Sequence, residues 1–202
     1  MNAPSTPASR SPSETDASDA PRLAPIENPS SWKVRLTYAL ARWQQGTVIT
    51  PLKVAWARLP EGLRLAYEMT ALEDHLTLDP EVHLLVNELV AIVNGCAFCQ
   101  DIAVAKAPTE ELPREKLDAL PGYEAHAAFT DAERAALTYA EEATRHVAVA
   151  DATFDTLRTH FTEREIVEIT WLTARENFYN RMNRPLGIGS DGLCEFPVDA
   201  PA

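Results

Sequence analysis

Residues 78–101, LDPEVHLLVNELVAIVNGCAFCQD, run from a helix start to a pair of cysteines, and their reading decides the fold. Asp79-Pro80-Glu81 opens a helix: a short polar residue comes first, then a proline whose fixed φ suits the first helical position. Val82 to Val93 is apolar almost throughout and reads as one long helix that delivers the chain to Asn94-Gly95. Gly95 lets the chain turn, and Cys96-Ala97-Phe98-Cys99 begins a second helix that runs to about Lys106, before Pro108.

Two cysteines three apart at a helix start face the same side, close enough for a disulfide without large backbone movement. The free N–H groups of the first turn and the helix dipole favour a thiolate there. One thiolate can then attack a peroxide or a disulfide while the other resolves the adduct to an internal disulfide. A zinc site needs two more soft ligands. Cys194 and His83 are the candidates, but the chain has no second CxxC and no HxxxH, so no metal is expected and no cofactor is called for. The bland alternative is a pair of small core residues, against which Gly95 and the helix-start position weigh.

Working outward, the remaining chain is helical nearly everywhere. Trp32, Leu36, Leu40 and Trp43 sit at three- and four-residue steps, the period of one helix face. Thr50-Pro51 reads as an N-cap with proline at the first helical position, and Pro60 interrupts that helix. Thr130-Asp131-Ala132-Glu133 and Thr162-Glu163-Arg164-Glu165 are capping boxes, opening helices from Asp131 to Arg145 and from Glu163 to about Met182. Asp151 reads as the cap of a shorter helix carrying Phe154, Leu157 and Phe161. No stretch alternates with period two, so the domain is all-α. The ending GIGSDGLCEFPVDAPA is too rich in glycine and proline for a helix, and Leu193 and Phe196 favour its docking on the domain.

Residues 1–30 are Ser-, Pro- and Ala-rich and cannot bury enough apolar surface to offset their ordering entropy, so they read as a disordered tail before a domain at 31–202. The 202-residue chain is 24% charged and 46% hydrophobic, an ordinary globular balance, with a formal net charge of −12. That acidity argues against a nucleic-acid surface, and no apolar run is long enough to span a membrane. No secretory signal is apparent, and three cysteines with two in a CxxC do not look like a secreted disulfide framework, so a reducing cytoplasm is the expected location.

With these pieces in place, LDPEVHLLVNELVAIVNGCAFCQD resembles the carboxymuconolactone decarboxylase superfamily, within it the alkylhydroperoxidase-D-like branch that carries an active CxxC. FTDAERAALTYAEEAT at 129–144 is similar to the helix that follows the CxxC in that family. FTEREIVEITWLTARENFYNRMNRPLGI at 161–188 is similar to its closing helix, and NRPLGIGSDGLC at 183–194 to the endings of family members. The similarity covers most of residues 50 to 195. It implies an all-helical fold that assembles as a homotrimer or homohexamer, with a thiol-based peroxidase or disulfide-reductase activity fed by a thiol electron donor of unknown identity.

The resemblance also implies a proton relay, a glutamate twelve residues before the first cysteine and a histidine four after the second. Those positions hold Leu84 and Ala103 here, and neither carries a proton. Glu88 lies one turn nearer Cys96 on the same helix face as Leu84, among Leu89, Val90, Ile92 and Val93, where burial would raise its pKa and make it a usable base. His83 points about a quarter-turn away from the relay position and reads as a surface residue. Asp101, in the first turn after the cysteines, is favoured there by the helix dipole alone. Trp171, Phe178 and Tyr179 read as core or interface, while Asn177, Asn180 and Arg181 invite a role near a pocket.

The expectation is therefore an oligomeric peroxidase or disulfide reductase with Cys96 and Cys99 as the reacting pair and Glu88 as base. The alternative is a redox sensor or degenerate family member whose dithiol is structural. Lactone decarboxylation is disfavoured, because the family members that perform it generally lack a CxxC and depend on a histidine missing here.

Overall fold

Asp79 accepts a hydrogen bond from the Glu81 N–H at 2.8 Å, with Pro80 in the first turn, and so starts the helix on which the fold is built. The computed structural model of the chain describes residues 20–106 and 114–193. Among these residues the α-helices are α1 (Trp32–Gln45), α2 (Gly62–Ala71), α3 (Pro80–Asn94), α4 (Ala97–Lys106), α5 (Arg114–Asp118), α6 (Asp131–His146), α7 (Asp151–Arg158) and α8 (Glu163–Asn183). Short π- or 3₁₀-helical turns join them at Leu52–Trp56, Leu72–His75, Leu120–Gly122 and Arg184–Leu186. The described residues contain no strand.

Helix α3 is buried on nearly every side, which is why its sequence is apolar all round rather than striped. Val82, Val86 and Val90, four apart, pack on Ala136 and Ala140 of α6 and on Ile169 and Leu172 of α8. Leu84, Leu85 and Leu89 enter a second cluster with Ala103 of α4, Leu117 of α5 and Leu137 of α6. Ala91 joins a third cluster with Cys96, Phe98, Cys99, Val54 and Ile188.

Both capping boxes form. Thr130 Oγ1 accepts from the Glu133 N–H at 3.2 Å while Glu133 Oε2 accepts from the Thr130 N–H at 2.7 Å. Thr162 and Glu165 repeat the exchange at the start of α8. Glu168, deep on α8, accepts from the Thr77 and Leu78 N–H groups at 2.9 and 2.8 Å, fixing the turn into α3.

Four readings change. Asp151 is the first residue of α7 rather than its cap; Ala150 holds the cap position, and the carboxylate suits the positive end of the helix instead. Thr50 does not cap: its N–H donates to Asp191 Oδ2 at 2.7 Å and its hydroxyl to Asp191 Oδ1, and a π-helical turn comes next. The apolar face of α1 has the expected period but looks outward, leaving Trp32 69% and Trp43 78% exposed with Leu36 and Leu40 between them. The opposite side buries Val34 and Tyr38. Residues 20–30, which composition alone assigns to the tail, lie along the domain. Arg22 N–H donates to Leu186 O at 2.8 Å, Ile26 N–H to Lys53 O at 3.1 Å, and Tyr38 Oη–H to Ile26 O at 2.7 Å.

Candidate functional site

The two cysteines sit where α3 ends and α4 begins. Gly95 takes the left-handed conformation, φ 63° and ψ 37°, which a residue with a Cβ adopts only at a cost. Its N–H donates to Ile92 O at 2.9 Å and the Cys96 N–H donates to Ala91 O at 2.8 Å, the paired bonds of a Schellman ending. Cys96 O then accepts from the N–H groups of Cys99 and Gln100 at 3.0 and 3.1 Å, opening α4. Cys96 thus closes one helix and starts the next, and Cys99 falls in the first turn. The pair is disulfide-bonded with Cα atoms 5.3 Å apart. Cys96 is fully buried and Cys99 nearly so.

The last two turns of α8 grip this junction. Asn94 Nδ2 donates to Asn177 Oδ1 at 3.0 Å and to Asn180 Oδ1 at 2.8 Å. Asn180 Nδ2 donates in turn to Glu176 Oε1 at 2.6 Å, which fixes the orientation of that amide. Asn183 Nδ2 donates to Cys99 Sγ at 3.6 Å, and Arg184 Nη1 donates to Gly95 O at 2.7 Å. A Cβ on Gly95 would sit 3.3 Å from that guanidinium, a second reason for glycine there.

A strap of residues 184–193 closes over the cysteines, with Ile188 buried against them and Leu186 and Leu193 packed alongside. Asp101 of α4 holds it. One carboxylate oxygen accepts from Ser190 Oγ at 2.6 Å and from the N–H groups of Asp191 and Gly192 at 2.8 and 3.1 Å. Asp101 is therefore turned toward the strap. Cys194 and Phe196 lie outside the described residues.

Glu88 is a buried carboxyl of α3. It is 5% exposed, it hydrogen-bonds neither cysteine, and its Oε2 has no hydrogen-bond partner among the described residues. Burial, reinforced by the charge of nearby Glu176, pushes its pKa up to about 8, with Arg114 opposing the shift. The carboxyl is thus mostly protonated at neutral pH yet able to exchange its proton there. His83 lies on another side of α3 with its Nε2 3.2 Å from Glu73 Oε2. Glu73 also pairs with the buried Arg175, which lies 3.9 Å from Glu176 Oε2. No group of three or more His, Cys, Asp or Glu side chains able to hold a metal occurs among the described residues.

Leu84 and Ala103 belong to one buried apolar cluster, so the two relay positions are filled by packing. Phe178 and Tyr179 pack against Trp56 and its neighbours, and Trp171 lies partly buried on the α3–α6–α8 core. Sequence reasoning picked out Asn177 and Asn180 and missed Asn183 and Arg184. The missed signal is the recurrence of asparagine at three-residue steps, 177, 180 and 183, on the helix that packs on the CxxC.

The carboxymuconolactone decarboxylase family model matches residues 61–142. The uncharacterized protein YnjA of Escherichia coli is 33% identical over 175 residues, spanning 85% of this chain and 92% of YnjA. A protein of unknown function from Agrobacterium tumefaciens, assigned provisionally to antioxidant defence as AhpD, has a solved structure that superposes with a TM-score of 0.64. It is 26% identical and covers 68% of this chain and 96% of that one. The debrominase Bmp8 shares the fold, with a TM-score of 0.71 at 18% identity over 87% of this chain and 95% of its own. With its helical fold and its cysteine pair at the α3–α4 junction, the chain belongs to the carboxymuconolactone decarboxylase superfamily, in its alkylhydroperoxidase-D-like branch.

Proposed function

We propose that the chain is a thiol-dependent peroxidase or disulfide reductase that cycles Cys96 and Cys99 between dithiol and disulfide. The observation that carries this reading is the pair's position: two bonded sulfurs at a helix start, one of them receiving an amide donor. In the peroxide reaction a Cys99 thiolate attacks the terminal oxygen. The S–O bond forms, the O–O bond breaks, and the alkoxide leaves with a proton as the alcohol. The Cys96 sulfur then attacks the sulfenic sulfur, water leaves, and the disulfide closes; an external thiol donor of unidentified class restores both thiols. Glu88 serves as the buried base that takes the thiol proton; its Oε2 is buried without a hydrogen-bond partner and its pKa is raised to about 8.

The test is hydroperoxide consumption driven by a small dithiol, repeated with a disulfide as substrate, for the wild type, Cys96→Ser and Cys99→Ser. Turnover lost in both variants supports the reading; turnover that survives both excludes it. If Glu88 is the base, Glu88→Gln slows thiol alkylation near neutral pH, and an unchanged rate removes it from the mechanism.

A second reading, a redox sensor without turnover, is favoured by the depth of Cys96, which is fully buried. It expects stoichiometric oxidation by peroxide and no catalytic cycle. Under either reading the apolar face of α1 supports self-association, because monomers rarely leave two tryptophans and two leucines on one exposed stripe, and the family resemblance implies a trimer or hexamer. No helix among the described residues is long and apolar enough to cross a membrane, and a reducing cytoplasm suits a dithiol that must be re-reduced.

A further inference from the structure

We propose that Asn183 is the hydrogen-bond donor that holds Cys99 as a thiolate, supplying from α8 an electrostatic contribution to the sulfur that nothing at Ala103 can give. The inference deepens the thiol reading above and rests on it for its functional meaning.

Asn183 is 4% exposed, and its Nδ2 lies 3.6 Å from Cys99 Sγ. Its backbone is fixed independently, since its carbonyl accepts the Ile188 N–H at 3.2 Å. The neighbouring Arg184 is anchored on Gly95 O, so the side chain is delivered to the sulfur from a rigid turn. The donor contributes little to a neutral disulfide sulfur. It contributes much more to an anion, because a charge-assisted hydrogen bond is roughly twice as strong as a neutral one. Asn183 therefore favours the reduced, ionised state over both the disulfide and the protonated thiol. The first-turn N–H groups of α4 act in the same sense.

Carboxylates on the packed elements oppose the thiolate, since hydrogen bonding orients them without removing their charge, and Asn183 acts against them. Asp101 of α4 is turned to Ser190, Asp191 and Gly192 of the strap, and Asp191 itself to Thr50. On α3, Glu88 is mostly neutral below pH 8. On α8, Glu176 is bound to Asn180, and Arg184 donates to the Gly95 carbonyl. Cys96 carries no comparable donor among the described contacts, so the donor distinguishes the two sulfurs.

The experiment uses the full chain with Cys96→Ser and Cys194→Ser, leaving Cys99 as the single thiol, and follows iodoacetamide alkylation by intact mass from pH 4 to 10. Asn183→Leu should raise the midpoint by about one pH unit, roughly a tenfold loss of thiolate below both midpoints. Asn183→Ser removes the amide donor without adding a charge, and should raise the midpoint by a similar amount. A merely structural role would lower the melting temperature and leave the midpoint in place. An unchanged midpoint in either variant overturns the proposal, and Asn183→Ser decides the matter if Asn183→Leu does not fold. A shifted midpoint in a protein that turns over neither peroxide nor disulfide would retain Asn183 and sink the enzymatic reading. Turnover without a shift would do the reverse.

Discussion

Leu84 of α3 and Ala103 of α4 meet in one buried apolar cluster with Leu85, Leu89 and Leu117. These are the positions at which the family resemblance places a glutamate and a histidine. Their joint replacement is physically coherent, since a lone carboxyl or imidazole facing an aliphatic partner would be buried without a hydrogen bond. Leu84→Glu should destabilise the fold by about 2–4 kcal/mol. Adding Ala103→His should recover part of that loss, because the two polar groups would then satisfy each other. Urea unfolding of the two single variants and the double variant measures the coupling; strict additivity would show that the positions do not communicate.

Glu88 gives a pH dependence whose sign is set by its raised pKa. Between about pH 4.5 and 8 the folded chain holds a proton on Glu88 that the unfolded chain has released. Stability from this group is therefore fully present below the unfolded pKa and is lost as pH rises through the folded value. Glu88→Gln cannot lose that proton. Its stability relative to wild type should rise with pH across this window, by at most about 1.4 kcal/mol per pH unit, and level off above it. Denaturant unfolding of both proteins at pH 5, 6.5 and 8 checks the trend, and a difference independent of pH would contradict it.

Asp101 reads as a latch. Asp101→Ala removes three hydrogen bonds that hold residues 190–192 across the cysteines. The expected outcome is faster reduction of the Cys96–Cys99 disulfide by a small thiol, severalfold or more, with faster amide exchange confined first to the strap. Reduction at the wild-type rate would mean that the strap does not limit access.

The outward face of α1 predicts an assembly defect. Leu36→Glu and Trp43→Glu place charges on the exposed stripe without touching Val34 or Tyr38 beneath it. Light scattering should show the assembled mass falling toward that of the 22.3 kDa chain while the helical content is retained. An unchanged mass would place any self-association elsewhere.

The features legible in the sequence were local ones. The capping boxes at Thr130 and Thr162, the Asp79-Pro80 start and the Gly95 turn are signals within a few residues, and each forms as its chemistry dictates. The burial of Glu88 could be read from its aliphatic neighbours. The orientation of α1 was not legible, because periodicity defines a face without saying what it meets. Nor was the grip of α8: Asn183 lies 84 positions from Cys99, and Arg184 lies 89 from Gly95. Only the packing of α8 across α3 brings these residues to the cysteines. The partners of Asp101 were hidden for the same reason, since they come from the far end of the chain.

The most direct test of the central claim is a single turnover. Reduced protein with Cys194→Ser, mixed with one equivalent of an alkyl hydroperoxide, should lose two thiols per peroxide and yield one alcohol, with the new disulfide mapped by peptide mass spectrometry to Cys96 and Cys99. Retention of both thiols after the peroxide is consumed, or consumption at an undiminished rate in the Cys96→Ser/Cys99→Ser protein, would contradict it.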